Sequence, residues 1–399
     1  MKQWSRPLVF AVAAATVIWV IGIVSAAGGP QAGSTPKPQA GSTQKPPAGS
    51  TQKPPTGSGS TLKPQMSDDV FKNVTVLTGI PVDEFMGTMG LFSAALSMCC
   101  GECHDNEHWE VDTPRKRTAR KMAQMVQTIN KTNFNGRQVV TCWTCHRNRD
   151  RPVVTPTLDT VYGEARLEPD DILPAAAGMP SADSIFDKYI QALGGAQRVA
   201  GLTSYVAKGT STGFVSGGLP AEFYAKAPDQ RTTIVHTTDG DIVRAFDGKA
   251  GSIMTPLTAV KDYDFTGGEL EGVRLDARMA FPGRIKEFLT NWRVNHPTTI
   301  DGREVNVVQG SGASGLVATF YFDKETGLLN RMVRYANSAM GRVPTQTDYA
   351  DYRPVAGVMM PHRWTFSWLD GRDRVVLTDV QPNVPIDAVK FARPVPRSR

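Results

Sequence analysis

The sequence predicts a multidomain chain: an N-terminal membrane helix, a mainly α domain, and a C-terminal α+β domain built on an antiparallel open sheet or half-barrel. Three observations predict it. An uncharged apolar run fills 8–27 behind Lys2 and Arg6. All five cysteines fall between Cys99 and Cys145, in a stretch with helical periodicity. Beyond residue 200, short β-branched and aromatic runs alternate with Gly- and Asp-rich turns. The chain has 399 residues, 40% hydrophobic and 21% charged, which suits two to three domains and excludes wholesale disorder. A net charge of +6 is too mild to indicate nucleic acid. Cysteines crowded into one stretch do not make a disulfide-stapled scaffold.

Residues 1–27 are the membrane segment. Twenty apolar residues span about 30 Å as a helix, the thickness of a bilayer core. A retained anchor and a cleaved signal peptide both fit, because Val24-Ser25-Ala26 is an acceptable cleavage site. Lys2 and Arg6 before the run imply that the rest is exported, so the protein is expected to be membrane-anchored or secreted, facing the periplasm. Residues 28–66 repeat GSTPKPQA, GSTQKPPA, GSTQKPPT and GSGSTLKP with a period of eight. This Pro/Gly/Ser/Thr/Lys tether cannot bury enough apolar surface to order itself. Extended, it reaches about 120 Å.

Residues 67–155 form the α domain. Apolar positions 82, 85, 86, 89, 92 and 96 follow Pro81 in steps of three and four, one helical face. Thr113-Pro114 caps a second helix whose stripe is Ala119, Met122, Met125, Val126 and Ile129. Each is followed by the same pattern: Cys100-Gly101-Glu102-Cys103-His104, then Cys142-Trp143-Thr144-Cys145-His146. Two thiols three apart on one helical turn can each add to a vinyl group of a haem, and the adjacent histidine then ligates the iron. Two such motifs predict two covalently bound haem c, on Cys100 and Cys103 with His104, and on Cys142 and Cys145 with His146. A Cys₄ zinc site and a thiol redox pair are the competing readings. Zinc requires neither following histidine, and no βαβ context surrounds either motif. Methionine is the ordinary sixth ligand of an electron-transfer haem, whereas an open iron binds or activates a ligand. Spacing leaves Met86 and Met89 open for the first haem, and Met122 and Met125 for the second.

These residues resemble the cytochrome subunit of photosynthetic reaction centres. The resemblance covers about residues 68–155: Phe71 to Val74, Leu77 to Pro81, Met89, then Ala119 to Met125, Ile129-Asn130, and Val140 to Arg147. It implies that Met89 ligates the first iron and Met122 the second. The reaction-centre subunit is similar to a duplicated version of this unit, with four haems. Its extra histidine has no counterpart between Asn130 and Thr141. The expectation is a single dihaem unit engaged in electron transfer.

Nearby residues have smaller roles. Cys99 either competes in attachment or sits reduced and buried. Trp143 reads as haem packing and His108 as a surface residue. The basic run Arg115, Lys116, Arg117, Arg120 and Lys121 suits haem propionates, an acidic partner or a solvated face.

Residues 156–180 read as a second linker and 181–399 as the β domain. Ser181 to Leu202 looks helical, with a stripe at Ile185, Tyr189, Ile190 and Leu193. Strands are expected at 203–209, 221–225, 232–237, 242–246, 305–309, 317–322, 331–335 and 363–368, with a short helix over 284–290. The helix and strand succession weakly resembles the curved-sheet periplasmic carriers that sort lipoproteins, which implies a concave face for a hydrophobic ligand or protein segment. His236, His296 and His362 are scattered and form no site. The pairs Asp348-Tyr349 and Asp351-Tyr352 suit ligand contact or packing.

The sequence therefore predicts an electron carrier between redox protein partners, attached to the membrane by its N-terminal segment and without nucleic-acid binding. The alternatives are a peroxidase-like dihaem enzyme with one open iron, and a lipid or lipoprotein carrier with accessory haems.

Overall fold

Pro81 and Thr113 open the two long helices as their chemistry requires. The structure, a computed structural model, describes residues 63–105, 107–163, 173–213 and 217–395. The predicted membrane segment, and all of the tether before residue 63, lie outside the described residues. Among the described residues no helix is long and apolar enough to cross a membrane. The tether's last residues already belong to the folded part: the Gln65 carbonyl accepts from the Val82 N–H at 3.0 Å.

Helix α1 (Ser67–Val70) leads to α2 (Val82–Leu96), which stops at Ser97 in the left-handed region. Then come α3 (Cys100–Cys103), α4 (Pro114–Asn133), α5 (Cys142–His146) and α6 (Leu158–Tyr162). Thr113 caps α4 through Oγ1, which accepts from the Lys116 N–H at 3.2 Å.

The expected apolar faces are buried only in part: Val82 and Val126 are buried and Phe85, Met89 and Phe92 pack on the apolar cluster, but other positions are buried beside them. On α2 the buried residues include Asp83, Gly87, Thr88, Gly90 and Leu91. The physical reason is the sheet: ideal Cβ atoms on Gly87 and Gly90 would stand 3.3 Å from Val343 and 2.7 Å from Trp368. On α4 the buried residues are Ala123, Val126 and Asn130, whereas Met122 and Met125 are 38% and 44% exposed. Asn130 turns that face inward. Its Oδ1 accepts from the N–H groups of Val139 and Val140, and its Nδ2 donates to the Val140 carbonyl.

Within the β domain, α7 (Ala182–Ala192) and α8 (Ala196–Gly201) divide the expected helix at Gly194-Gly195, both at positive φ. The strands are β1 (Ser204–Gly213), β2 (Leu219–Lys226), β3 (Gln230–Thr237), β4 (Gly240–Phe246), β5 (Gly251–Met254) and β6 (Asp262–Asp264). Helix α9 (Gly267–Arg278) follows. The rest are β7 (Thr290–Ile300), β8 (Arg303–Ser311), β9 (Val317–Asp323), β10 (Leu329–Ser338), β11 (Gly341–Val355), β12 (Val358–Trp368) and β13 (Gly371–Pro382). All pair antiparallel in one sheet, with β1 beside β13 at its centre and β6 and β7 at its edges. The expected open antiparallel sheet is present, with more strands than the sequence suggested. The expected helix over 284–290 is a 3₁₀ turn at Pro282–Glu287, and Thr290 already starts β7.

The core forms on the face where α7 lies. Phe186 and Tyr189 pack with Ala207 and Phe223 from one half of the sheet and Phe320 and Phe322 from the other. The sheet therefore curves around the helix. Helix α9 is held by charge: the fully buried Arg334 on β10 pairs with Glu269 at 2.8 Å and Asp276 at 3.0 Å. Residues of the expected linker dock as well, since the Ala176 N–H donates to the Val294 carbonyl at 2.9 Å.

The paired Asp and Tyr residues of β11 are explained by packing. Tyr349 and Tyr352 pack against the main core, and the Tyr352 hydroxyl donates to the Leu329 carbonyl at 2.8 Å. Asp348 pairs with Arg331, and Asp351 with Arg353.

Candidate haem-binding site

The two Cys-x-x-Cys-His motifs fold alike because each begins with the same capping device. Thr141 Oγ1 accepts from the Thr144 N–H while Thr144 Oγ1 accepts from the Thr141 N–H at 3.0 Å. At the first motif Cys99 occupies the equivalent position, and its N–H donates to Glu102 Oε2 at 2.8 Å. Cys99 is thus the cap residue of α3. It is exposed, not buried as expected. One short turn carries Cys100 and Cys103, another Cys142 and Cys145, so each pair shares a helical face.

None of the five cysteines is paired in a disulfide. Burial pushes Cys142 up to about 11. Partial desolvation, then the nearby Asp370 carboxylate, raises Cys100, and desolvation also raises Cys103. A redox Cys-x-x-Cys pair works through a stabilised thiolate, the opposite shift. Among the described residues no three His, Cys, Asp or Glu side chains converge as a metal-binding group.

Both histidines present the chemistry of a metal ligand. His104 Nδ1 lies 3.4 Å from the Trp109 carbonyl, and His146 Nδ1 lies 3.0 Å from the Arg149 carbonyl. A carbonyl only accepts, so Nδ1 carries the proton in both and Nε2 keeps its lone pair. Burial further lowers the His104 pKa and favours the neutral ring. Lys116 fixes the loop, donating from Nζ to the Trp109 and Val111 carbonyls at 2.8 Å each. Arg120 pairs with Asp112 and Arg115 reaches the Glu102 carbonyl at 2.8 Å. Three residues of the basic run therefore hold local backbone. His108 is exposed, as expected.

Among the methionines, Met89 packs in the apolar cluster of Leu77, Leu91, Ala123 and Val126, which also takes Cys142. Met86 lines a cavity against the sheet. Helix α2, ahead of the first motif, packs on α5, which carries the second. Met122 stands outside the cluster and, with Met125, Val139 and Trp143 (40% exposed), presents apolar surface. This donor set of paired thiols, proximal imidazoles with free Nε2 atoms and accessible thioethers fits haem c. The capping residues and carbonyl partners were not identified from the sequence, although Thr141-x-x-Thr144 is a readable cap pattern.

His236, His296 and His362 stay apart from this site. His236 bonds Asp241 at 2.8 Å, His296 is exposed, and His362 faces the Met360 carbonyl at 3.0 Å.

The β domain is similar in structure to a LolA superfamily protein from Nitrosomonas europaea, at 11% identity and a TM-score of 0.38, covering 54% of this chain and 99% of that one. A DUF1329 family protein from Desulfovibrio piger gives 9% identity and a TM-score of 0.38, covering 54% and 98%. No curated protein matches the chain. Residues 37–164 match the family described as the photosynthetic reaction centre cytochrome C subunit, the family whose motifs this segment resembles.

Proposed function

We propose that the protein is a dihaem c-type electron carrier, exported and held near a membrane, that passes single electrons between protein partners. The observation that carries this reading is the matched pair of capped Cys-x-x-Cys-His turns, each with its histidine Nδ1–H on a backbone carbonyl. When bound, each haem supplies one-electron iron chemistry. The chain's part is to anchor, ligate and shield. Cys100 and Cys103 hold one haem and Cys142 and Cys145 the other. His104 and His146 are the proximal ligands, and Met89 and Met122 complete the two sets. The packing of α2 on α5 supports two haems on one helical unit. The family of the matched profile supports the carrier reading over catalysis.

The test is a count of covalent haem. Denatured holoprotein is expected to retain two haems per chain in the pyridine haemochrome assay, and Cys142→Ser/Cys145→Ser is expected to retain one. Release of all haem on denaturation overturns the proposal.

A further inference from the structure

Helix α2 and the sheet leave a cavity of about 410 Å³ between them, within the range of small-molecule sites. Met86 and Glu84 face it from the helix, and Tyr263, Phe366, Trp368 and Asp370 from the sheet side.

Its walls define a ligand class. Four aromatic side chains, with Phe265 the fourth, favour a planar ring. Neither the Tyr263 hydroxyl nor the Trp368 indole N–H hydrogen-bonds within the described residues, and both are donors awaiting an oxygen. The Asp370 carboxyl, which also lines the cavity, bonds its own backbone N–H and can meet a hydroxyl. Charge excludes ions. Arg244 lies 4.7 Å from the Phe265 ring, opposing a cation, while its pairing with Glu269 leaves it uncommitted to any anion. Burial holds the Asp83 and Glu84 carboxyls above the usual range, which also favours a neutral guest.

We propose that this cavity binds a neutral planar aromatic bearing hydrogen-bonding oxygens, the quinone–hydroquinone class. Its oxygens take the Tyr263 hydroxyl and the Trp368 indole N–H and meet the Asp370 carboxyl, which line the same cavity. Leu369, beside Asp370, packs on the apolar cluster that also takes Met89 and Cys142, so the site adjoins the helical module. The choice of a redox-active class rests on the electron-carrier reading above; binding itself does not.

Isothermal titration of the full haem-loaded chain with 2,3-dimethoxy-5-methyl-1,4-benzoquinone tests the site. Saturable binding is expected, with Tyr263→Phe weakening it about tenfold, the effect of one buried hydrogen bond. Asn337→Trp, which narrows the cavity from the sheet side, is expected to weaken binding at least tenfold while leaving the haem spectrum unchanged. Toluene, without oxygens, is expected to bind at least tenfold more weakly than the quinone. No saturable binding, or equal binding by wild type and both variants, overturns the site. Binding without haem reduction by the corresponding hydroquinone overturns the electron-carrier coupling and leaves the site standing. Dithionite-reducible haem in a chain that does not bind leaves the carrier standing and removes the site.

Discussion

The Asp83 carboxylate of α2 accepts from both the backbone N–H of Thr266, at 2.6 Å, and its hydroxyl, at 2.9 Å. Thr266 is the residue before α9, so a side chain of the cysteine-bearing module caps a helix of the β domain. The two are thereby joined through a buried polar contact. Asp83→Ala is expected to destabilise the protein by about 1–3 kcal/mol, because it leaves the Thr266 N–H unpaired. Thermal denaturation of the holoprotein measures the loss, and an unchanged melting temperature contradicts the role.

The same residue sets a pH dependence. Burial is the largest influence on Asp83 and raises its carboxyl above the ordinary range. The folded protein therefore holds this proton more tightly than the unfolded chain does. That stabilisation is complete below the unfolded value and is lost as pH rises through the folded one. Asp83→Asn removes the titration, so the variant's stability relative to wild type is expected to rise as pH increases above the ordinary aspartate value of about 4. Parallel denaturant-unfolding profiles over that range would show that Asp83 titrates as an ordinary aspartate.

A second joint is apolar. Met340, 2% exposed at the β10–β11 turn, packs with Leu77, Leu91, Ala123 and Val126 of the helical module. Beside it the Gln138 amide donates to the Ser338 carbonyl at 2.8 Å. Met340→Ala is expected to cost about 2–5 kcal/mol through the cavity it opens. Limited proteolysis should then cleave near 156–163 faster than in wild type; an unchanged rate argues that the turn is not a fastening point.

Arg334 is the anchor of α9. Glu269 and Asp276 hold its guanidinium well above the usual arginine range, against the opposing effect of burial. Arg334→Ala strands Asp276 and leaves Glu269 with Arg244 alone, and a loss of about 3–5 kcal/mol is expected in urea denaturation. Gly272→Ala attacks the same site from the other side, since its Cβ would stand 2.2 Å from Arg334 Nη1. A Gly272→Ala chain as stable as wild type shows that the cluster can shift.

Met122 carries the prediction about ligation. Under the proposed assignment, Met122→Leu turns one haem high-spin while both stay covalently attached. The optical spectrum of the oxidised protein reports this. Two low-spin haems in the variant would assign the ligand elsewhere, with Met125 the next to substitute.

Much of this architecture was legible before any coordinates. Periodicity placed α2 and α4, Thr113-Pro114 marked a helix start, and turn residues bounded the hairpins β3–β4 and β12–β13, because these signals are local. Helix α9 was missed: it begins Gly-Gly and contains a third glycine, a composition that opposes helix. What overrides it is the ion cluster with Arg334, about sixty residues on. Strand β11 was missed because its alternating buried residues include threonines as well as apolar side chains. For the site, spacing alone paired each Cys-x-x-Cys with its histidine, since three residues of one turn are fixed by chain geometry.

By itself, the sequence determined the elements, the two attachment motifs and the residue types able to hold haem. The tertiary structure decided which faces are buried: Gly87 and Gly90 of α2 turn to the sheet, Asn130 turns α4, and Met122 is left accessible. It also found partners for Asp83, Cys99 and both histidines. The physical reason is range. A helical turn is set by neighbours three and four residues apart, whereas burial and hydrogen bonding of a given face depend on surfaces that arrive from up to two hundred residues away.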